Sequence, residues 1–224
     1  MEWPQEVRDA LEEYNDMFAD KLTPDRSLEG EPMQIKVEPR AVPYQVSVPR
    51  PVPYHWINEA KRVMQEAVAA GVVTEVEEAV EWLAPAHMVE KPGQPGKLRL
   101  VTDFRRLSDK VVKDVHRYPN GKDVWQTVGV DSNVFFKLDA TQSYHQVKLS
   151  NESKRYMNFI LPIGKFIYKS AAMGFVNSGS EWNRRRDKIL KGAPWVKHVD
   201  DIMGKDYKHL AADLKRDIGK VLCG

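Results

Sequence analysis

The 224 residues include one cysteine, Cys223, so this chain can form neither an intramolecular disulfide nor a multi-thiolate zinc site. No run approaches the roughly 18 to 20 apolar residues of a membrane-spanning helix, and 14 Pro and 13 Gly are too few for a collagenous or disordered chain. The first ten residues contain Glu2, Glu6 and Asp9 and lack the basic-then-apolar order of a secretory signal. Together these absences predict an intracellular protein with no membrane partner. Internal repeats are missing as well, and 34 Lys and Arg against 32 Asp and Glu leave a net charge of only +2. What is present is a globular composition, 42% hydrophobic and 29% charged, enough to bury a core in one or two domains.

The small net charge conceals an uneven distribution. Residues 1–40 hold 5 basic against 11 acidic side chains, whereas residues 90–117 hold 8 basic against 4 acidic. A second basic cluster runs through Arg184, Arg185, Arg186, Lys188, Lys191 and Lys197. Locally basic surface on a balanced chain predicts a polyanionic partner.

Val7, Leu11, Tyr14 and Phe18 at helical spacing predict an amphipathic helix over 4–19, read as an appendage. Five prolines between Pro39 and Pro53, alternating with Val and Tyr, forbid helix and predict an extended strap. Trp56, Ala60, Val63, Met64 and Ala67 predict a helix over about 55–70, with Gly71 as its C-terminal stop. Alternation over Leu98–Phe104 predicts a strand, entered by a turn at 92–96. Further strands are expected at 134–139 and 144–149, a hairpin at 159–168 through Pro162-Ile163-Gly164, a helix capped by Ser178 or Ser180, and a terminal helix through Leu210, Leu214, Ile218 and Val221. Strands and helices mixed without strict alternation give an α+β class.

The apolar stretch 196–203 carries Asp200-Asp201 in its middle. Adjacent carboxylates repel, and each costs several kcal/mol to desolvate unless neutralised. A hairpin turn that exposes both is one explanation. Asp139, which ends the apolar run 134–138, offers another, because a carboxylate at a strand end can meet Asp200 across a neighbouring strand. Three carboxylates together hold protons tightly until a divalent cation neutralises them, and their hard oxygens suit Mg²⁺. Two such ions about 4 Å apart serve phosphoryl transfer.

In collinear order over residues 15–222, the chain resembles the reverse transcriptases of gypsy-type LTR retrotransposons. The segments that carry the resemblance are Pro49-Arg50-Pro51-Val52-Pro53, Ala70-Gly71-Val72-Val73-Thr74-Glu75-Val76, Leu98-Arg99-Leu100-Val101-Thr102-Asp103-Phe104-Arg105-Arg106-Leu107, Phe136-Lys137-Leu138-Asp139-Ala140-Thr141-Gln142-Ser143-Tyr144-His145-Gln146 and Val199-Asp200-Asp201-Ile202. The last two place Asp139 and Asp200 sixty-one residues apart, which suits the family.

The resemblance implies a reverse-transcriptase-like fingers and palm, the palm a small antiparallel sheet backed by helices. It divides the chain into an appendage (1–38), fingers (39–134) and palm (135–224, with a fingers segment inserted around 150–172). It implies an RNA-directed DNA polymerase that uses two Mg²⁺ ions, or Mn²⁺, held by Asp139, Asp200, Asp201 and the Ala140 carbonyl. Lys91, Lys97, Arg99, Ala140, Tyr144 and Met173 would bind the deoxynucleoside triphosphate, with Tyr144 beneath the sugar excluding a 2′-hydroxyl. Arg105, Arg106, Arg184, Arg185 and His198 would face an RNA or DNA template and its primer. Solvated surface charges at Lys91, Lys97 and Arg99 and a core aromatic at Tyr144 remain open readings.

The chain departs from the family pattern at His198, where Tyr is usual, at Met173 in place of Phe, at Gly179 in place of Pro, and at Trp182-Asn183. The thumb, connection and ribonuclease H regions are not among these residues, and another chain supplying them is one expectation. The competing reading is a truncated or domesticated module that binds nucleic acid or a protein partner without catalysis. The corresponding locations are a cytoplasmic virus-like particle or, if domesticated, the nucleus.

Overall fold

The computed structural model describes residues 5–13, 15, 22–24, 27–28, 30–117, 135–192, 195–198 and 200–205. The expected terminal helix lies outside them. Among the described residues no helix is long and apolar enough to cross a membrane.

Eight strands form two sheets. The first has five strands: β1 (Val73–Glu75), β2 (Ala84–Lys91), β3 (Gln94–Thr102), β5 (Asn158–Leu161) and β6 (Gly164–Tyr168), in the order β1-β6-β5-β2-β3. All its pairs are antiparallel except β2 with β5. Ala84, Ala86 and Met88 are buried at alternate positions of β2, the two-residue period of a half-buried strand. That strand escaped the sequence reading because two of its three core residues are alanines. The β2–β3 hairpin turns at Pro92-Gly93, tighter than the 92–96 turn expected, because Gly93 adopts φ +70° and a bulge at Glu90/Lys91 absorbs the register shift. The β5–β6 hairpin through Pro162-Ile163 is as expected.

Helix α2 (Ile57–Ala69) buries Ala60 and Met64 against this sheet. It ends where Gly71 takes φ +69° and the Val72 amide returns to the Ala67 carbonyl, a left-handed C-terminal stop. The proline-rich strap is extended and anchored by bridges Val37↔Val111 and Gln45↔Leu83, with Tyr44 buried edge-on to Trp82. Phe159, Phe166 and Tyr168 pack ring on ring at the centre, and the Tyr168 hydroxyl meets Thr102 at 3.1 Å.

The second sheet has three antiparallel strands, β4 (Phe135–Asp139), β8 (Asp201–Lys205) and β7 (Val196–His198), with β8 central. Among the described residues its core is Val7, Phe136, Leu190 and Trp195, with Val196 buried against Met203. Val7 comes from helix α1 (Gln5–Glu13), so the N-terminal segment is more than an appendage: it completes this core. The Phe136 ring stands edge-on to Trp195 at 5.7 Å, directly over Gly204. A Cβ on Gly204 would come within 2.3 Å of that ring, so the close approach requires glycine.

Two local expectations are corrected. Residues 144–149 do not form a strand: Gln142 takes φ 49°, Ser143–Gln146 form a 3₁₀ turn, and only Lys148 and Leu149 make isolated bridges. Alternating apolar residues there reflect a turn seated on the core. Nor does Ser178 or Ser180 cap helix α5 (Ser178–Ile189), which follows the one-turn helices α3 (Arg105–Ser108) and α4 (Asn151–Lys154), since both serines are helical residues. The N-cap is Asn177, whose amide donates to Val112 while its oxygen accepts from the Asp114 amide, and the Ser178 hydroxyl donates to the Ala172 carbonyl. Longer-range partners take the polar groups that local rules assign to capping.

Candidate active site

The β4–β8 register sets Asp139 directly opposite Asp201, and the β7–β8 register sets His198 on the other side of Asp201. Asp200 occupies the turn between β7 and β8, and its carbonyl accepts the Ala140 amide at 3.0 Å, which extends the ladder by one step. The acidic pair therefore does sit at a hairpin, and that hairpin lies against the end of β4.

Like charges directly across a ladder are destabilising. Asp139 is exposed as a residue, yet its carboxyl sheds part of its hydration, and with Asp201 and Asp200 alongside its pKa is raised above the ordinary carboxylate value. Lys137, two residues earlier on the same face of β4, opposes this. Its ammonium lies 2.9 Å from Asp201 and is held charged by it. Asp200 instead accepts a 2.5 Å hydrogen bond from Ser143, at the start of the 3₁₀ turn. Lys137 and Ser143 were both absent from the sequence-derived site. The period-two spacing of Lys137 and Asp139 was a usable signal; no local signal marks Ser143.

Among the described residues no three His, Cys, Asp or Glu side chains already stand as a metal cage. Asp139 and Asp201 face each other, while Asp200 is engaged with Ser143. The donor chemistry nevertheless fits a hard divalent cation: the groups are carboxylates, and lost hydration first, then the Asp201 and Asp200 charges, raise the proton affinity of Asp139.

The turn that supplies Ser143 also carries Tyr144, half-buried against the main core, and His145. The His145 ring lies near-parallel to Tyr168 and bonds the Ala171 carbonyl through Nδ1 at 2.9 Å. Two residues beyond Ala171, Met173 is exposed. Lys91, Lys97 and Arg99 lie exposed on the β2–β3 hairpin. Arg105 and Arg106 open the short helix α3 (Arg105–Ser108), where Arg105 pairs with Asp103 and Arg106 covers the Tyr44 ring at 4.3 Å.

The second basic cluster is largely neutralised within the fold. Arg184 pairs with Asp114 and Glu181, and Arg185 pairs with Glu181 and donates to the Glu31 carbonyl. Arg186 is buried beside Asp187, and Lys197 donates to the Leu190 carbonyl. Sequence shows the sign of a charge, while folding decides what faces it.

No family model matches the chain. An enzymatic polyprotein of Figwort mosaic virus is 28% identical over 143 residues, which are 59% of this chain and 21% of that protein. The Pol polyprotein from transposon gypsy of Drosophila melanogaster is 26% identical over 149 residues, 65% of this chain and 14% of that protein. Thus the chain spans between one seventh and about one fifth of the length of these relatives. The foamy viral protease-reverse transcriptase solved with an RNA/DNA hybrid superposes with a TM-score of 0.81 at 16% identity, over 97% of this chain and 29% of that one. The fold is that of a reverse transcriptase.

The five-stranded sheet is accordingly the fingers sheet and the three-stranded one the palm sheet of this fold. The sequence is similar to the gypsy Pol polyprotein, and the architecture to the foamy viral protease-reverse transcriptase. Within the reverse-transcriptase fold, the carboxylates lie on the palm sheet and the exposed basic hairpin on the fingers sheet.

Proposed function

We propose that this chain is the fingers and palm of a polymerase that copies an RNA or DNA template into DNA. The observation that carries the reading is the register of Asp139 against Asp201 at the Asp200 turn, where repulsion is left standing next to exposed surface. Asp139, Asp200 and Asp201 would bind two Mg²⁺ ions, with the Ala140 carbonyl contributing. When bound, these ions activate the primer 3′-hydroxyl and offset the charge on the departing pyrophosphate. Lys91, Lys97 and Arg99 hold the triphosphate by charge-assisted hydrogen bonds. Tyr144 packs under the sugar, with Met173 beside it, and rejects a 2′-hydroxyl. Arg105, Arg106 and His198 meet template and primer. Arg184 and Arg185, already paired, serve chiefly to fix α5. A thumb and ribonuclease H, on a longer chain or a second one, would complete the machine.

Primer extension on RNA and DNA templates with Mg²⁺ tests this. Asp139→Asn should lower the rate by on the order of 10²-fold or more, since a bound metal supplies several kcal/mol of charge stabilisation. Tyr144→Val should shift the ratio of ribonucleotide to deoxynucleotide specificity constants about tenfold, on the order of 1.4 kcal/mol. Salt-sensitive duplex binding without extension by the wild-type chain would instead support the non-catalytic module.

A further inference from the structure

A cavity of about 420 Å³ is lined by the N-terminal segment around Leu22, the residues after α2, the stretch from His145 to Lys154, and Lys169-Ser170. Its charge is one-sided. Lys148, Lys154 and Lys169 line it, beside His145, whose burial lowers its pKa and leaves the ring neutral, and no Asp or Glu lines it among the described residues. Several cations elsewhere in the fold are paired. Arg50, Arg62, Arg105, Lys137, Arg184, Arg185 and Arg186 each face a carboxylate. At the cavity, Lys154 donates only to the neutral Asn151 oxygen, and Lys148 and Lys169 have no ion-pair partner among the described residues.

A second observation is independent of charge. Ser170 lines the same cavity, is 4% exposed, and its hydroxyl has no hydrogen-bond partner. Buried hydroxyls are seldom left so, because desolvation without a partner costs free energy. Leu22, Pro24, Val72 and Leu149 give the cavity an apolar wall, beside the polar Thr23, Ser27 and Asn151. Cationic side chains beside an apolar wall, in a volume within the range of small-molecule sites, select an anion with an apolar body over a bare ion.

We propose that this cavity binds a small phosphorylated organic molecule, with Lys148 and Lys169 on the phosphate and the apolar wall against its ring or chain. The cavity's lining includes none of the residues proposed for the polymerase chemistry, and the proposal does not depend on that reading. Phosphate in the backbone of a nucleic acid shares this chemistry, so the test separates the two sources.

Phenyl phosphate, inorganic phosphate and a short oligothymidylate are titrated into the full chain in EDTA, which removes any metal-mediated binding at the carboxylates. Expected are saturable 1:1 binding of phenyl phosphate at least tenfold tighter than inorganic phosphate, a further tenfold loss in the Lys148→Met/Lys169→Met double variant, and retention in Lys148→Arg/Lys169→Arg. Lys188→Met, an exposed charge on α5, should leave binding unchanged. Thermal unfolding of each variant confirms that the protein titrated is folded. Absent saturation, or an equal loss in Lys188→Met, overturns the proposal. So does oligothymidylate binding that depends on Lys148 and Lys169 while phenyl phosphate fails to bind.

Discussion

Asp103 and Asp139 are the same side chain at the ends of comparable strands, one on the fingers sheet and one on the palm sheet, and their surroundings push them in opposite directions. Asp103 follows β3, between Arg105 at 2.6 Å and Arg50 at 3.0 Å, and these partners hold its pKa down to about 2. Asp139 ends β4 facing Asp201, with Asp200 near, and its pKa is raised. The fingers sheet neutralises its carboxylate with two guanidinium groups. Near Asp139 the palm sheet offers one lysine, and that lysine is bonded to Asp201 instead. Under the proposed reading, a cation supplied from outside would neutralise these acidic groups.

The two sheets differ equally in what holds them. The fingers sheet rests on a continuous core through Phe104, Phe159, Phe166 and Tyr168, whereas among the described residues the palm sheet rests on Val7 from α1, Phe136, Leu190 and Trp195, with Val196 buried apart from them. Phe159→Ala should therefore be the costliest single change, about 3 to 5 kcal/mol by urea denaturation, because the ring is fully buried among aromatics that cannot collapse onto the gap. Gly204→Ala should cost less, about 1 to 3 kcal/mol, since the Phe136 ring must move from a contact a Cβ would make at 2.3 Å. The functional order should be reversed. Per folded molecule, Gly204→Ala should depress primer extension more, because β8 carries Asp201 and Phe159 lies on the other sheet. Equal stability losses, or equal activities per folded molecule, would erase the distinction between a load of packing and a load of chemistry.

Some of this division was legible in the sequence. Strand β4 announced itself as an apolar run closed by an aspartate, and β5–β6 as two strands about Pro162-Ile163-Gly164, because each pattern is local. The Asp200 hairpin was readable as a contradiction between charge and apolar context. Partners distant in sequence were not legible: Ser143 on Asp200, Asp114 on Arg184 and Ser178 on Ala172 depend on chain reversals that no local window contains. Strand β2 was missed because alanine marks burial only weakly, and the 3₁₀ turn at 143–146 because a left-handed Gln142 breaks a strand without a glycine to signal it.

The smallest expected effects give the sharpest comparison, since they differ in sign. Asp103 has a folded pKa below its ordinary value of 3.8, so its contribution is complete above that pH and is lost as the pH falls towards 2. Asp103→Asn should cost about 1 kcal/mol at pH 7, a figure kept low because Arg105 and Arg50 are substantially exposed and screened, and the loss should fade below pH 4. Asp139 has a raised folded pKa, so ionising it costs more in the folded chain than in the unfolded one. That penalty is absent below pH 3.8, grows as the pH rises through the folded value, and is complete above it. In EDTA, Asp139→Asn should therefore be the more stable protein at pH 7, by up to about 1 kcal/mol after screening, and should match the wild type in acid. Adding Mg²⁺ should then raise the wild-type midpoint and leave Asp139→Asn nearly unmoved, because a cation stabilises only the state that binds it. Urea denaturation between pH 3 and 7, with and without Mg²⁺, reads all of these. A destabilised Asp139→Asn at neutral pH in EDTA would mean that Lys137 already neutralises the cluster, and the case for an external cation at this turn would fail.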